Sequence, residues 1–256
     1  MKRFVLLWLA LSGIHPTANA QSAQTFSDVY LTHQFVQGEK FSTVFSRTVS
    51  TTSNDLPPMV YRVGGTGDYT VTGSNALQPE FAAVFLYDGR PEDKCSIAFR
   101  DSGKTLVYNG RPNTNTDASG LAYNPLLWGI PPAKLGKGMS WEVNITQPWE
   151  LGGAGKQHVQ VLDADPTAKI IRLKREGDGE GFFADDQQAI EMVKDGKKMR
   201  AKVIPGKHHW TGYTIFKNGI VLSDELMVER PVILETDNLR IAATQRQYIM
   251  LNLRPQ

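Results

Sequence analysis

Hydrophobic and polar residues alternate over short stretches along most of the chain, and tight-turn signals separate these stretches. Met199, Ala201 and Val203 share one side of such a stretch while basic residues occupy the other, which is typical of a half-buried strand. Asn218-Gly219 and Asp195-Gly196 each join two strand-like runs, and both dipeptides favour two-residue type I′ turns because their residues tolerate positive φ. The pattern therefore predicts β-hairpins at both positions.

Similar turn signals recur at Asp88-Gly89, at 101–103 and at 163–166, and the chain ends on a strand-like run over 247–253. Strands do not alternate with helices, which argues against a parallel α/β fold. We therefore expect an all-β fold, or a β-rich one with one or two short helices, built as an antiparallel curled sheet, a half-barrel or a sandwich. A helix over about 185–194 is the alternative interpretation of one hairpin arm, because Asp and Gln suit a first helical turn.

The organisation predicted along the chain is one β-rich domain over residues 21–256. The stretch 109–137 is the only candidate subdivision, since a loop of that length in a compact domain is usually functional or disordered. Residues 26–52 carry no clear pattern and are compatible with a helix or with two strands.

The first twenty residues have the pattern of a cleaved signal peptide. Lys2 and Arg3 precede an apolar run over 4–11, and a small-x-small site ends at Ala20. The apolar run is far shorter than the roughly 20 residues that span a bilayer, which disfavours the alternative of a signal anchor. The sequence therefore predicts export, with cleavage following Ala20, to a periplasmic or secreted location, and no membrane-spanning segment.

Charge and cysteine content exclude several classes of function. Removal of residues 1–20 takes away two of the 28 basic residues and no acidic one, so basic residues balance the 26 acidic ones in the mature chain. That balance argues against nucleic-acid binding, which depends on positive charge. Cys95 is the single cysteine, so the chain has no disulfide framework and no multi-cysteine metal site.

Motifs for metals fail on spacing. Glu176, Asp178 and Glu180 stand where a calcium loop would carry its first ligands, but its twelfth position, which should be a bidentate glutamate, is Gln187. An acidic turn between two strands is the alternative interpretation. The histidines also lack ligand spacing, and we expect neither a metal nor a cofactor. The four histidines of the mature chain are His33, His158, His208 and His209.

Catalytic patterns are equally scarce. The segment 138–142 comes nearest to a nucleophile elbow but lacks the second glycine. A pair of carboxylates for glycoside hydrolysis stays possible, because what matters for that chemistry is their separation in space. The sequence thus names no catalytic residue and leans towards a protein that is not an enzyme.

Tryptophans in loop-like surroundings are the strongest hint of a binding site, because the ring offers apolar area together with one hydrogen-bond donor. An apolar run in the long loop would form a flap over a cleft, and two further tryptophans would line its mouth. The alternative is that these rings fill the core permanently. The candidate ligand-binding residues are Leu126, Leu127, Trp128, Ile130, Trp149 and Trp210.

The function that these observations favour is that of an exported, non-enzymatic binding or carrier protein. Its partner would be an apolar small molecule or an envelope protein. An exported carboxylate-based hydrolase, such as a carbohydrate-active enzyme, is the alternative.

Overall fold

A computed structural model describes residues 33–75, 78–101, 104–112, 123–129, 135–146, 149, 151–181 and 189–254. Within these ranges the chain forms fourteen strands and one short helix. No helix of the described residues is long and apolar enough to cross a membrane.

All the strands of the described residues belong to one antiparallel sheet, which confirms the predicted curled all-β fold. The sheet order is β6-β5-β4-β3-β2-β1-β14-β13-β12-β9-β8-β7, and the hairpin β10–β11 joins it through β13. The end strands β6 and β7 do not pair with each other, so the sheet stays open. The elements are β1 Lys40–Thr52, β2 Met59–Asn75, β3 Gln78–Tyr87, β4 Asp93–Arg100, β5 Thr105–Tyr108, β6 Arg111–Pro112, α1 Pro125–Trp128, β7 Ser140–Ile145, β8 Ala154–Asp165, β9 Ile170–Glu180, β10 Ala189–Lys194, β11 Lys197–Pro205, β12 His208–Lys217, β13 Ile220–Thr236 and β14 Leu239–Leu253.

Both predicted hairpin tips are confirmed. Asn218 and Gly219 have φ angles of 52° and 78° between β12 and β13. Asp195 and Gly196 have φ angles of 51° and 74° between β10 and β11. The helix proposed as an alternative over 185–194 is wrong for 189–194, where the chain forms β10, and the preceding residues lie outside the described ranges.

Two expectations about boundaries need correction. The turn predicted at 163–166 lies at 166–169, because β8 continues to Asp165. The Asp165 carboxylate then accepts hydrogen bonds from the backbone amides of Thr167 and Ala168, both at 2.9 Å, which fixes the turn after it. In the unclear N-terminal region β1 begins at Lys40, and residues 26–32 lie outside the described ranges.

Two apolar clusters fill the concave face of the sheet. Phenylalanines of β1, β3 and β4 meet side chains of β7, β8, β9, β12, β13 and β14 in the larger cluster. The smaller cluster lies near the tip of the β13–β14 hairpin, where Met192 of β10 packs together with Leu56 from the β1–β2 connection. Alternate residues of β13 from Asp224 to Leu234 face inward, and among them Leu226 and Val228 join the larger cluster whereas Val232 and Leu234 join the smaller one.

A one-residue irregularity separates β11 from β12, although both strands pair with β13. Pro205 lies opposite Val232 and His209 lies opposite Glu229. Between these two pairs the β11–β12 segment therefore has one residue more than β13. The Gly206 amide donates to the carbonyl of Pro231 at 2.8 Å at this point. Proline has no amide proton for a ladder, and a bulge in the neighbouring strand accommodates it.

Replacement of Gly219 by valine tests the hairpin geometry. A β-branched residue at a φ of 78° is strained, so we expect a loss of about 1–2 kcal/mol in the free energy of unfolding. Denaturant titration measures this loss. Lys217→Val introduces the same residue at an exposed, extended position two residues earlier and serves as the control. Equal stability of the two variants would contradict the placement of Gly219 at a positive φ in the tip of the β12–β13 hairpin.

Candidate functional site

A cleft of about 310 Å³ opens on the concave side, where the ends of β1 and β2 approach β10. Val49 and Tyr61 lie opposite each other on β1 and β2, and Thr51 lies opposite Met59 in the same way. Ile190 of β10 adds to the apolar part of the lining, and the remaining lining residues are Val60, Gln245 and the acidic Glu191. Tyr61 is 52% exposed, so this end of the concave face is open to solvent.

Polar side chains form a row that runs across the sheet from this cleft. Thr51, Gln245 and Arg230 are direct neighbours on β1, β14 and β13. The Gln245 amide donates to Thr51 Oγ1 at 3.1 Å, and its carbonyl accepts from Arg230 Nε at 2.9 Å. Arg230 Nη1 contacts Nε2 of His208 at 3.0 Å. All four residues are buried, so a hydrogen-bonded polar row separates the two apolar clusters.

The charge of Arg230 is not balanced within the described residues, where no carboxylate forms an ion pair with it. Its partners are the neutral amide of Gln245 and the ring of His208. Burial lowers the pKa of Arg230 to about 10, so its guanidinium is still charged at neutral pH. A buried cation without an anion is costly, which singles out this position.

His208 is held in one neutral form between two partners. Burial first, and the nearby charge of Arg230 second, lower the pKa of His208 to about 4. In the neutral ring Nδ1 donates to the carbonyl of Gly179 at 3.1 Å, which leaves Nε2 to accept from Arg230. The ring thus orients the arginine.

The residues predicted to line a ligand mouth lie mostly in the larger apolar cluster. Leu127, Trp128, Trp149 and Trp210 are each at most 4% exposed, and Leu126 packs partly buried against the same cluster. Ile130 lies outside the described residues. Among the described members of the set, the structure thus matches the alternative arrangement in which the rings fill the core.

Trp128, the last residue of α1, is anchored by a buried polar group. Its indole nitrogen donates to Thr214 Oγ1 at 3.3 Å, and the Thr214 hydroxyl donates to Asp224 at 2.6 Å. Asp224 accepts two hydrogen bonds from Nη2 of Arg175, at 2.6 and 2.8 Å. The Arg175 guanidinium lies 5.2 Å from the centre of the Trp128 ring. These contacts fix the helix on the concave face.

The alternating glycines of 176–181 make room for Trp210. A Cβ at Gly177 would lie 2.5 Å from the indole of Trp210, and one at Gly179 would lie 3.0 Å from it. Trp149 packs edge-on against Trp210 with their centroids 5.4 Å apart. Glu176 to Glu180 therefore form part of β9, with glycines inward and acids outward, and the acidic turn considered from the sequence is wrong.

The outward acids border a second, more polar groove of about 660 Å³ on the convex face. Two histidine–carboxylate pairs cross it, between His158 and Glu142 at 2.8 Å and between His209 and Asp178 at 3.2 Å. Lys174 donates to Glu176 at 2.6 Å, and this hydrogen bond lowers the pKa of Glu176. A glycosidase acid needs its pKa raised instead, so Glu176 does not suit that role.

Neither the cleft nor the polar row behind it is among the features predicted from the sequence. A readable signal existed in β13, whose inward positions hold Leu226, Val228, Arg230, Val232 and Leu234. Two charged residues, Asp224 and Arg230, thus interrupt an apolar register, and Arg230 and Val228 lie opposite two glutamines of β14.

Comparisons with known proteins give no family for this chain. No protein-family model matches it, and no curated protein matches it. Among the solved structures that match, one is titled "Lipid-protein interactions in lipovitellin", and it aligns with this chain with a TM-score of 0.42 and 11% sequence identity. The alignment covers 86% of this chain and 25% of that one, so the chain spans about a quarter of the protein it matches. We draw no conclusion about function from a similarity of that size.

His208 should make the protein less stable in acid. Its pKa is about 4 when folded and 6.5 when unfolded, so the unfolded chain binds the extra proton between these values. The free energy of unfolding should therefore fall as pH drops from 6.5 to 4, by about 2–3 kcal/mol from this residue alone. Urea titrations at several pH values, compared with His208→Asn, measure the contribution. His209→Asn, on the exposed face, should keep the full pH dependence.

Trp128 should behave as a core residue. We expect Trp128→Ala to lose about 3–5 kcal/mol of unfolding free energy, because the ring is 4% exposed. Tyr213→Ala, which truncates an exposed ring on β12, is the control and should change stability by less than about 1 kcal/mol. Chemical denaturation measures the loss of unfolding free energy in both variants. A similarly small loss in the two would favour the alternative in which the loop that carries Trp128 forms a flap over a cleft.

Proposed function

We propose that the protein is an exported binding or carrier protein that holds the apolar part of a small molecule in the concave cleft. The observation that carries the proposal is the lining of the cleft, where Val49, Met59, Tyr61 and Ile190 surround an opening of about 310 Å³. Ligand pockets occupy about 300–1,000 Å³ and are mainly apolar with a few polar groups, and this cleft fits that description.

The position of the cleft also supports binding. It lies where the smaller apolar cluster meets the polar row, so a ligand there would extend an existing core instead of creating a new one. The exposed ring of Tyr61 can cover a bound chain from the solvent side. A small ligand suits this site better than a protein, because stable protein interfaces bury about 800 Å² on each partner.

Export is part of the proposal and rests on residues 1–20, whose pattern is that of a signal peptide. A carrier of apolar molecules has an obvious use in an aqueous compartment between or outside membranes. The hydrolase alternative gains nothing from Glu176, whose pKa is lowered and which lies on the opposite face of the sheet.

Binding of straight-chain alcohols tests the proposal. Each methylene transferred into the cleft contributes about 0.8 kcal/mol, so affinity should rise about fourfold for each added carbon from hexanol until the cleft is filled. Val49→Trp should weaken binding about tenfold or more by occupying the cleft. Titration calorimetry measures both effects.

The matched control is Val44→Trp, which places the same ring on the opposite, exposed face of β1. This variant should bind the alcohols as the original protein does. Absence of binding by the unaltered protein, or equal binding by the two tryptophan variants, would contradict a ligand in this cleft.

A further inference from the structure

We infer that the ligand of this cleft carries an anionic head group and that Arg230 binds it. The inference rests on the proposed function, because the same cleft must hold the apolar chain. It adds the chemical class of the ligand, an amphiphile with one negative charge at the end of a straight chain.

The first step is the position of Arg230 relative to the cleft. Gln245 lines the cleft, and Arg230 is its direct neighbour on the adjacent strand, one strand spacing of about 4.8 Å further along the polar row. The two side chains are joined by a hydrogen bond of 2.9 Å. A ligand whose chain lies over Val49 and Met59 would therefore place its end near Arg230.

The second step is the unused capacity of the guanidinium. Nε donates to Gln245 and Nη1 contacts His208, whereas no hydrogen bond joins Nη2 to any of the described residues. Arg230 is 7% exposed, and its Nη2 is not among the fully buried unpartnered nitrogens of the described residues, so this nitrogen keeps contact with solvent. An arginine amine of this kind is a strong donor to a carboxylate or phosphate oxygen.

The third step is a comparison with the other buried arginine of this face. Arg175 is fully buried in the larger cluster, and there Asp224 supplies a carboxylate at 2.6 Å. The corresponding neighbour of Arg230 is a glutamine, which accepts a hydrogen bond without neutralising the charge. The fold thus balances one inward arginine internally and leaves the other for an external anion.

Three probes with the same twelve-carbon chain test the inference near pH 8: dodecanoate, dodecanol and dodecyltrimethylammonium. We expect dodecanoate to bind at least about tenfold more tightly than dodecanol, because a charge-assisted hydrogen bond is added. The cationic probe should bind more weakly than dodecanol. These comparisons use the unaltered protein and do not depend on the folding of a variant.

Two variants then identify the residue. Arg230→Gln should abolish the preference for dodecanoate over dodecanol, whereas Arg230→Lys should retain part of that preference. Arg246→Gln removes an exposed arginine from the neighbouring strand, where it pairs with Glu229, and should preserve the preference.

The outcomes separate the two proposals. Binding of dodecanol and dodecanoate within about twofold of each other would overturn the anionic ligand and keep the apolar cleft. A preference for dodecanoate that survives in Arg230→Gln would overturn the role of Arg230. Failure of the unaltered protein to bind any of the three probes would overturn the proposed function itself.

Discussion

The concave face of this sheet depends on the inward side chains of the long hairpin β13–β14, whose register is continuous from Asp224 of β13 onwards. Successive residues of a strand point to opposite faces of the sheet, so the register of this hairpin determines which of its side chains lie in the two apolar clusters. Residues near the start of β13 enter the larger cluster and those near its end enter the smaller one. Every other strand of the described residues is placed, directly or through a neighbour, by its pairing with these two.

Between the clusters the same register carries polar residues, and their burial requires that each finds partners. Hydrogen bonds join Thr51, Gln245, Arg230 and His208 into one row. These bonds offset the free-energy cost of burying the polar groups and fix the side chains in one arrangement. The apolar cleft opens beside Thr51 at one end of the row, and the charge of Arg230 lies one strand beyond Gln245. An amphiphile has the same two parts, and this correspondence is what links the fold to the function proposed for it.

Local patterns predicted the fold well because hairpins are local structures. Asn218-Gly219 and the alternation around Ala201 specify strands and turns within a few residues of sequence. The candidate site could not be predicted in the same way, because Thr51 and Gln245 meet only when distant strands pair. The surroundings of the tryptophans were out of reach for a related reason: Trp210 is an inward strand residue whose space is provided by Gly177, more than thirty positions earlier.

The extra residue between β11 and β12 changes which residues of the chain face inward. Odd-numbered residues such as Val203 face inward in β11, whereas even-numbered ones such as Trp210 face inward in β12. Without Lys207 the two segments would have equal numbers of residues between the pairs Pro205–Val232 and His209–Glu229, so β11 and β12 would form one regular strand with both sets of core side chains still facing inward. What the extra residue serves is therefore the backbone beside Pro231, which has no amide proton for a regular ladder and whose carbonyl accepts from Gly206.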